Sequence, residues 1–173
     1  VGVAVNPVLP RVYVANQLEK TVSAIDSATG KVVATIPMGG AATGIAVSPD
    51  GSRAYVTLKG SVGQVAVIDT ATNTVLAKVK VGAYPVGIAV NPLGNRVYVT
   101  NNAAKSVSVI DTVTNTVIST IKVGTAPSGV VVSDSGRVYV ANTSTDTVSV
   151  IDGATNTVLA TVKVGDQPRD LAV

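Results

Sequence analysis

Four polar side chains offer the most specific chemistry in this chain of 173 residues. Tyr84, Asp166, Arg169 and Asp170 fall in two short segments, GAYPVG and GDQPRD, that differ at these positions from the related segments GGAATG and GTAPSG. An arginine can hold a carboxylate or a phosphate through two hydrogen bonds, and a tyrosine can stack or hydrogen bond. We therefore predict a ligand contact formed by these four residues. The competing interpretation is structural: a local Arg–Asp pair, and a tyrosine packed on a proline.

Composition excludes much other catalytic and metal chemistry. The chain has no histidine and no cysteine. Within it there can be no disulfide, no thiolate metal site, no haem ligation through either residue, and no Ser-His or Cys-His nucleophile pair. No segment has the ligand spacing of an EF-hand calcium loop. We expect no metal site, no cofactor and no enzymatic activity from this chain.

Four aspartates could suggest a carboxylate constellation, but their positions favour turns. Each ends a phrase such as SVSVID and begins a segment such as DTATNT. An aspartate at the start of a turn accepts backbone N–H bonds, and an asparagine or glycine four residues later tolerates a left-handed backbone. Acid–base pairs need neighbouring side chains, whereas these lie one per repeat. We predict that all four cap turns: Asp26, Asp69, Asp111 and Asp152.

The segments that carry these side chains are copies of one unit. The phrase RVYVTN at 96–101 returns in similar form three more times. Its tyrosine recurs at intervals of 42, 43 and 41 residues, at Tyr13, Tyr55, Tyr98 and Tyr139. A repeat of this length is one supersecondary unit that cannot bury both faces alone and stacks on similar neighbours.

Each repeat contains four short apolar runs, which in the third copy are residues 86–91, 96–101, 106–111 and 116–123. Their length and their content of Val, Ile, Thr and Tyr indicate strands, and no segment indicates a helix. Tight turns with Gly or Asn join them into an antiparallel propeller blade. We predict an all-β propeller over residues 1–173, with blades at 1–39, 40–82, 83–124 and 125–165 and the start of a fifth inner strand at 166–173.

With YVTN at 98–101, GIAVNP before it and VSVIDTVTNTV after it, the chain closely resembles the YVTN β-propeller repeat family. The resemblance covers almost the whole chain. It implies that the first strand of each blade lines a central channel and the fourth forms the outer rim. It also implies an archaeal or bacterial cell-surface or periplasmic protein. The chain departs from the pattern at MGGAATG (38–44), which lacks the proline of the other copies, and at LKGSVGQ (58–64), a longer loop.

The closure of the ring is left open by the sequence. RDLAV at 169–173 is a fifth copy of the inner strand, and in a closed ring of four it would compete with residues 1–5 for one position. The chain could be part of a longer ring, with seven blades by the family resemblance. Four blades could instead close with one redundant strand, or two chains could combine into a larger ring.

The distribution of charge argues against nucleic acid as a partner. The net charge is +3, and the basic residues are spread along the chain rather than clustered. Four lysines fall on the predicted outermost strands, with Lys31 at the start of the first such strand. Lysine there protects an exposed edge, and adhesion to an acidic polysaccharide is the functional alternative. The four are Lys78, Lys80, Lys122 and Lys163.

Two further features concern the location of the protein. No apolar run approaches the 18 or so residues of a membrane helix, so we expect no transmembrane segment. The sequon at Asn142 lies in a predicted loop and would be a glycosylation acceptor if the protein is secreted.

The favoured function is a non-enzymatic extracellular or cell-surface scaffold for adhesion, protein interaction or assembly, as in a surface layer or filament. Its expected partners are other proteins or copies of itself, with cell-surface polysaccharide as a further candidate. A periplasmic location is the other candidate location. The alternative is a ligand-binding propeller, or a lyase- or lactonase-like enzyme whose catalytic residues lie in blades outside this sequence. A nucleic-acid-binding propeller is the third hypothesis.

Overall fold

Four antiparallel sheets make up the fold. The computed structural model describes residues 2–172, and within that range it contains sixteen strands and no helix. In each sheet the four strands follow one another in chain order. The predicted all-β architecture of four-stranded propeller blades is therefore confirmed. Accordingly, nothing in the described range is a helix long and apolar enough to span a membrane.

Blade 1 contains β1 (Val3–Val5), β2 (Arg11–Asn16), β3 (Thr21–Asp26) and β4 (Val32–Pro37). Blade 2 contains β5 (Ala41–Val47), β6 (Arg53–Lys59), β7 (Gly63–Asp69) and β8 (Thr74–Val81). Blade 3 contains β9 (Pro85–Val90), β10 (Arg96–Asn101), β11 (Ser106–Asp111) and β12 (Thr116–Lys122). Blade 4 contains β13 (Pro127–Val132), β14 (Arg137–Asn142), β15 (Thr147–Asp152) and β16 (Thr157–Lys163).

The turns between the third and fourth strands are capped as the sequence predicts. In blade 2 the Asp69 Oδ1 atom accepts hydrogen bonds from the backbone N–H groups of Ala71 and Thr72, at 3.0 and 2.8 Å. Asn73, four residues after the aspartate, has a left-handed backbone with φ of 55°. Asp26, Asp111 and Asp152 accept the equivalent bonds. These aspartates are turn caps, one per blade.

Apolar packing occurs between neighbouring blades. Because side chains alternate along a strand, each blade has a preceding face, which points toward the blade before it, and a following face, which points toward the next. The repeated tyrosine lies on the following face, where Tyr55 packs with Val97 and Val99 of blade 3. Three buried clusters of this kind fill the interfaces between blades 1 and 2, 2 and 3, and 3 and 4.

The inner strands of neighbouring blades approach each other at glycine. A Cβ atom added to Gly87 would overlap the Ser128 carbonyl oxygen of the next blade and lie 2.8 Å from the Thr100 Oγ1 atom. That hydroxyl accepts from the Gly87 N–H at 2.8 Å and donates to the Ser128 carbonyl at 2.6 Å, so it connects two blades. Thr57 makes the same connection between Gly44 and Val86.

The four blades form an open arc. Within residues 2–172 no apolar cluster joins blade 4 to blade 1. The outer strand of each blade contributes one apolar side chain to the following face. In blades 1, 2 and 3 this side chain is buried: Ile36, Val79 and Ile121 are 3%, 6% and 6% exposed. In blade 4 the equivalent Val162 is 48% exposed. The closed ring of four blades, one of the three arrangements that the sequence leaves open, is therefore not the one that forms.

The predicted fifth inner strand is present only as a docked segment. Residues 168–172 form no strand, but the Arg169 carbonyl accepts a hydrogen bond from the Gly129 N–H at 2.9 Å. This places the segment beside the inner strand of blade 4. Its last residue, Val173, lies outside the described residues.

Candidate functional site

Three of the four residues predicted to contact a ligand lie together at the C-terminal end of the arc. Asp166 and Arg169 line an open groove of about 650 Å³, together with Gln167. The opposite wall is the loop between β14 and β15, which contributes Thr143, Ser144 and Asp146. Asp170 is next to Arg169 but lines a smaller depression on the inner surface of the arc.

Asp146 organises this groove, and the sequence analysis did not single it out. Its carboxylate accepts bonds from the Gln167 backbone N–H at 2.9 Å and from the Lys163 Nζ atom at 3.1 Å. The Gln167 bond, followed by that of Lys163, lowers the pKa of Asp146 below its ordinary value. A signal was present in the sequence, because Lys20 and Lys105 occupy the equivalent position in blades 1 and 3.

Arg169 and Asp170 do not form the local ion pair of the structural interpretation. Among the described residues, the ion pairs are Arg96–Asp111 and Lys163–Asp146. Both side chains at 169 and 170 are exposed. The inner depression, of about 210 Å³, is also lined by Thr43, Val86 and Ser128 and by the glycines that occupy the position of Asp170 in the four other copies: Gly2, Gly44, Gly87 and Gly129. Within residues 2–172, no three acidic side chains group closely enough to hold a metal ion.

Tyr84 lies apart from the C-terminal groove, in the loop that joins blades 2 and 3. Its backbone is left-handed, with φ of 53°. Its N–H donates to the Gly60 carbonyl of blade 2 at 2.8 Å, and its carbonyl accepts from the Asn102 N–H of blade 3 at 2.9 Å. The main chain of Tyr84 therefore links two blades, while its side chain is partly exposed.

Two further cavities occur between blades, one repeat apart. They have volumes of about 410 and 420 Å³ and are lined by the arginine and tyrosine of the repeated phrase, at Arg53 with Tyr55 and at Arg96 with Tyr98. The Arg53 guanidinium donates to the Thr112 carbonyl of the next blade at 3.1 Å. Burial raises the pKa of both phenols, so they are neutral near pH 7. The Tyr98 hydroxyl donates to the Gly153 carbonyl of blade 4 at 3.3 Å, whereas Arg96 pairs with Asp111 of its own blade.

A buried asparagine latch fills the end of the second strand in three blades. In blade 3 the Asn101 Nδ2 atom donates to the Ser106 and Ser108 hydroxyls at 3.1 and 2.9 Å. Asn16 and Asn142 make equivalent bonds in blades 1 and 4. Blade 2 has Leu58 at this position, packed in an apolar cluster.

Asn142, which forms the latch in blade 4, is also the asparagine of the predicted glycosylation sequon. Its side chain is fully buried, and its Nδ2 atom donates to Thr147 and Ser149. The acceptor nitrogen therefore lies inside the blade, against the expectation of an accessible loop, and the folded protein does not present it for glycosylation.

The ends of the arc expose apolar side chains whose equivalents are buried between blades. At the start, Val3 is 62% exposed, whereas the equivalent Ile45 and Val130 are 8% and 7% exposed. At the other end, the following face of blade 4 leaves Tyr139 only half-buried, whereas Tyr98 is fully buried. The four described blades thus leave one apolar face uncovered at each end of the arc.

Comparison with known proteins agrees with this architecture. A family model described as a YNCE-like beta-propeller matches residues 8–92. Among solved structures, a chain of the Kuenenia stuttgartiensis hydrazine synthase is similar at 25% identity with a TM-score of 0.88. The match covers 93% of this chain and 48% of that one, so this chain spans about half the length of its structural neighbour. No curated protein matches the sequence.

The repeated YVTN phrase, the four meandering blades and the two propeller matches agree with one another. The chain is a β-propeller repeat protein, and its repeated phrase resembles the YVTN type.

Proposed function

We propose that the chain is a non-enzymatic scaffold that works through protein contacts at the two ends of its blade arc. The observation that carries this proposal is the pair of uncovered apolar end faces. Val3 and Val162 lie on these faces, and each is more exposed than the residues at the equivalent positions of the other blades. Burial of such surface is the dominant favourable term in protein association. The end faces are therefore the part of the four blades best suited to pack on a further blade or on another protein.

The internal use of the repeated polar side chains also supports a scaffold. The aspartates cap turns, the asparagines form latches, and the tyrosines and arginines of the repeated phrase lie at the joints between blades. Lys78 donates to the Met38 carbonyl of blade 1 at 2.7 Å, and Lys163 pairs with Asp146. A structural repeat protein depends on interactions between neighbouring repeats, and these polar side chains provide them.

An extracellular or cell-surface location is part of the proposal. It is supported by the resemblance to the YVTN family, whose members occur at archaeal and bacterial surfaces. Protease digestion of intact cells of the source organism tests it. We expect the chain to be degraded while a cytoplasmic marker survives. Protection of the chain until the cells are lysed would contradict the surface location.

Chemical cross-linking in the same cells tests the scaffold itself. We expect protein adducts with the unaltered chain and their loss with Val162→Asp, which places a charge on the following end face. The matched control is Ile118→Asp, because Ile118 is 46% exposed on the outer strand of a central blade, close to the 48% of Val162. Adducts that persist in both variants, or that never form, would argue against assembly through the end faces.

The C-terminal groove favours a second candidate, a ligand-binding propeller within a larger enzyme. Its structural neighbour is named as a hydrazine synthase, and Arg169 and Asp166 could hold a small charged ligand in the groove. Calorimetric titration with small dicarboxylates and phosphates tests this candidate. Binding that Arg169→Ala abolishes would favour it over the scaffold, whereas the absence of heat would leave the scaffold as the better account.

A further inference from the structure

The two polar cavities at Tyr55 and Tyr98 lie side by side inside the arc. The first is between blades 2 and 3, and the second is between blades 3 and 4. Leu93, in the loop between β9 and β10, lines both cavities and is 82% exposed. Their volumes of about 410 and 420 Å³ are each large enough for a small-molecule ligand. We call this pair of cavities, with Leu93 between them, the inter-blade groove.

The second cavity contains a hydrogen-bond acceptor that the protein leaves without a partner. The Asn156 Oδ1 atom is buried and accepts no hydrogen bond from residues 2–172. Between blades 1 and 2, the equivalent Asn73 Oδ1 atom accepts from the Tyr13 hydroxyl at 3.4 Å. Between blades 3 and 4, the equivalent tyrosine, Tyr98, donates to the Gly153 carbonyl at 3.3 Å. Because an unpaired buried acceptor is costly, Asn156 favours a ligand that brings a donor.

Both cavities offer donors and acceptors together. Each is lined by the arginine and the tyrosine of the repeated phrase, and each also has one aspartate, Asp50 in the first and Asp152 in the second. Hydrogen bonds from the Ser48 hydroxyl to Asp50, and from the Thr155 backbone N–H to Asp152, lower the pKa of these carboxyl groups, so both are charged near pH 7. An anionic ligand would meet a carboxylate in either cavity. A neutral hydroxyl group both donates and accepts, and so suits this lining.

We propose that the inter-blade groove binds an unbranched chain of neutral sugar residues, which occupies both cavities and crosses Leu93. The sugar hydroxyls donate to Asn156 and accept from the arginine guanidinium groups. The C–H groups of a sugar ring pack on the Leu93 side chain. This site goes beyond the proposed scaffold function, because it is formed by blades 2, 3 and 4 and does not use the end faces.

A polymer suits two cavities that are one repeat apart, because binding in one cavity raises the effective concentration of the chain at the other. Fluorescence anisotropy with labelled, unbranched hexasaccharides of glucose, mannose, galactose and N-acetylglucosamine measures this binding. We expect at least one hexasaccharide to bind at least about tenfold more tightly than the disaccharide of the same sugar. Equal affinity for the two lengths would overturn occupation of both cavities by one chain. No binding of any of these probes would overturn the proposal.

Leu93→Ala tests the place of binding without disturbing the core. Loss of its apolar contact should lower the affinity for the hexasaccharide about fivefold or more. The matched control is Leu18→Ala, because Leu18 is 94% exposed in the loop between β2 and β3, outside the groove. This control should keep the affinity of the unaltered chain. The same affinity in both variants would overturn the groove as the binding site.

Asn156→Gly tests the unpartnered acceptor. Asn156 has a left-handed backbone with φ of 58°, and Gly30 occupies the equivalent turn position of blade 1 with φ of 69°, so the turn tolerates glycine. We expect the affinity to fall about fivefold or more. Asn73→Gly, the same change in the turn of blade 2, should leave the affinity unchanged. An equal loss in both variants would overturn the contact assigned to Asn156.

Two further probes test the chemistry and the source of the sugar chain. A hyaluronan hexasaccharide carries carboxylates, and tighter binding of it than of every neutral probe would overturn the preference for neutral sugars. Surface polysaccharide of the source organism, freed of protein by protease digestion, should displace the labelled hexasaccharide. Displacement by intact glycoprotein alone would overturn a polysaccharide source and place the sugar chain on a protein.

Discussion

At the scale of single residues, the asparagine latch shows how a polar group is accommodated inside a blade. Asn101 is fully buried, and the Ser106 and Ser108 hydroxyls both accept from its amide. A buried polar group destabilises the fold when its partner is removed, while removal of all partners together can be nearly neutral. Blade 2 approaches the second case, since Leu58 and Ala66 occupy the positions of Asn101 and Ser108, while Gln64 occupies that of Ser106.

The first prediction follows from this difference. Asn101→Leu keeps the side-chain shape but leaves two buried hydroxyls without their donor, so it should lower the free energy of unfolding by about 1–3 kcal/mol. The triple variant Asn101→Leu, Ser106→Ala, Ser108→Ala should recover most of that loss. Urea denaturation of both variants measures the difference. Equal destabilisation would show that shape, and not hydrogen bonding, governs the site.

The capping aspartates predict a loss of stability in acid. The Thr72 backbone N–H bond, followed by the Thr72 hydroxyl, lowers the pKa of Asp69 in the folded protein. A lowered folded-state pKa means that this stabilisation is complete above the unfolded pKa of about 3.9 and is lost as pH falls through the lower folded value. Asp69→Asn should therefore flatten the dependence of the urea midpoint on pH below about pH 5. An unchanged slope would contradict the capping role.

At the scale of strands and blades, the approach of inner strands at glycine should be intolerant of any side chain. Gly87→Ala should lower the free energy of unfolding by about 2 kcal/mol, because the new methyl group overlaps the main chain of β13. Gly165→Ala is the matched control, since a Cβ atom there meets nothing within 4 Å. Thermal denaturation of the two variants checks this, and similar melting temperatures would indicate that the blades can separate without loss of stability.

Much of the element structure could be predicted because the period of the repeat fixes the strands and the turn residues fix their ends. The turns at Asp69 and the lysines on the outer strands lie where the sequence indicates. β4 is one residue shorter than expected, since it begins at Val32 and not at Lys31. The groove around Asp146 was missed because its walls come from a loop and a terminal segment that only folding brings together. Tyr84 and Arg169 were predicted to share one site, but they lie apart, because their distance also depends on how the blades fold together.

At the scale of the whole molecule, the end blades have one neighbour and the central blades have two. In such a stack, stability depends on interfaces between neighbours. For this four-blade chain we predict that amides of β10 and β11 exchange at least about tenfold more slowly than those of β14 and β15. Hydrogen exchange with mass spectrometry resolves the blades. Uniform protection would mean that the arc unfolds as one unit.

Whether the ring closes could not be predicted from the repeated sequence, because the number of copies does not determine which blade faces are in contact. Four copies are compatible with a closed ring or with part of one. The answer depends on the exposure of Val162 and Val3, which requires the curvature of the arc and not only the order of its strands.

The glycine-lined inner surface also limits how this protein can acquire new specificity. At Gly44 and Gly87 any mutation that adds a side chain displaces a neighbouring blade, so selection has little variation to act on along the inner strands. Functional variation is therefore expected in the loops between strands and blades, such as the one containing Tyr84, whose sequences already differ among copies. Asp170 is the exception among the inner positions, because its side chain already lines the inner depression.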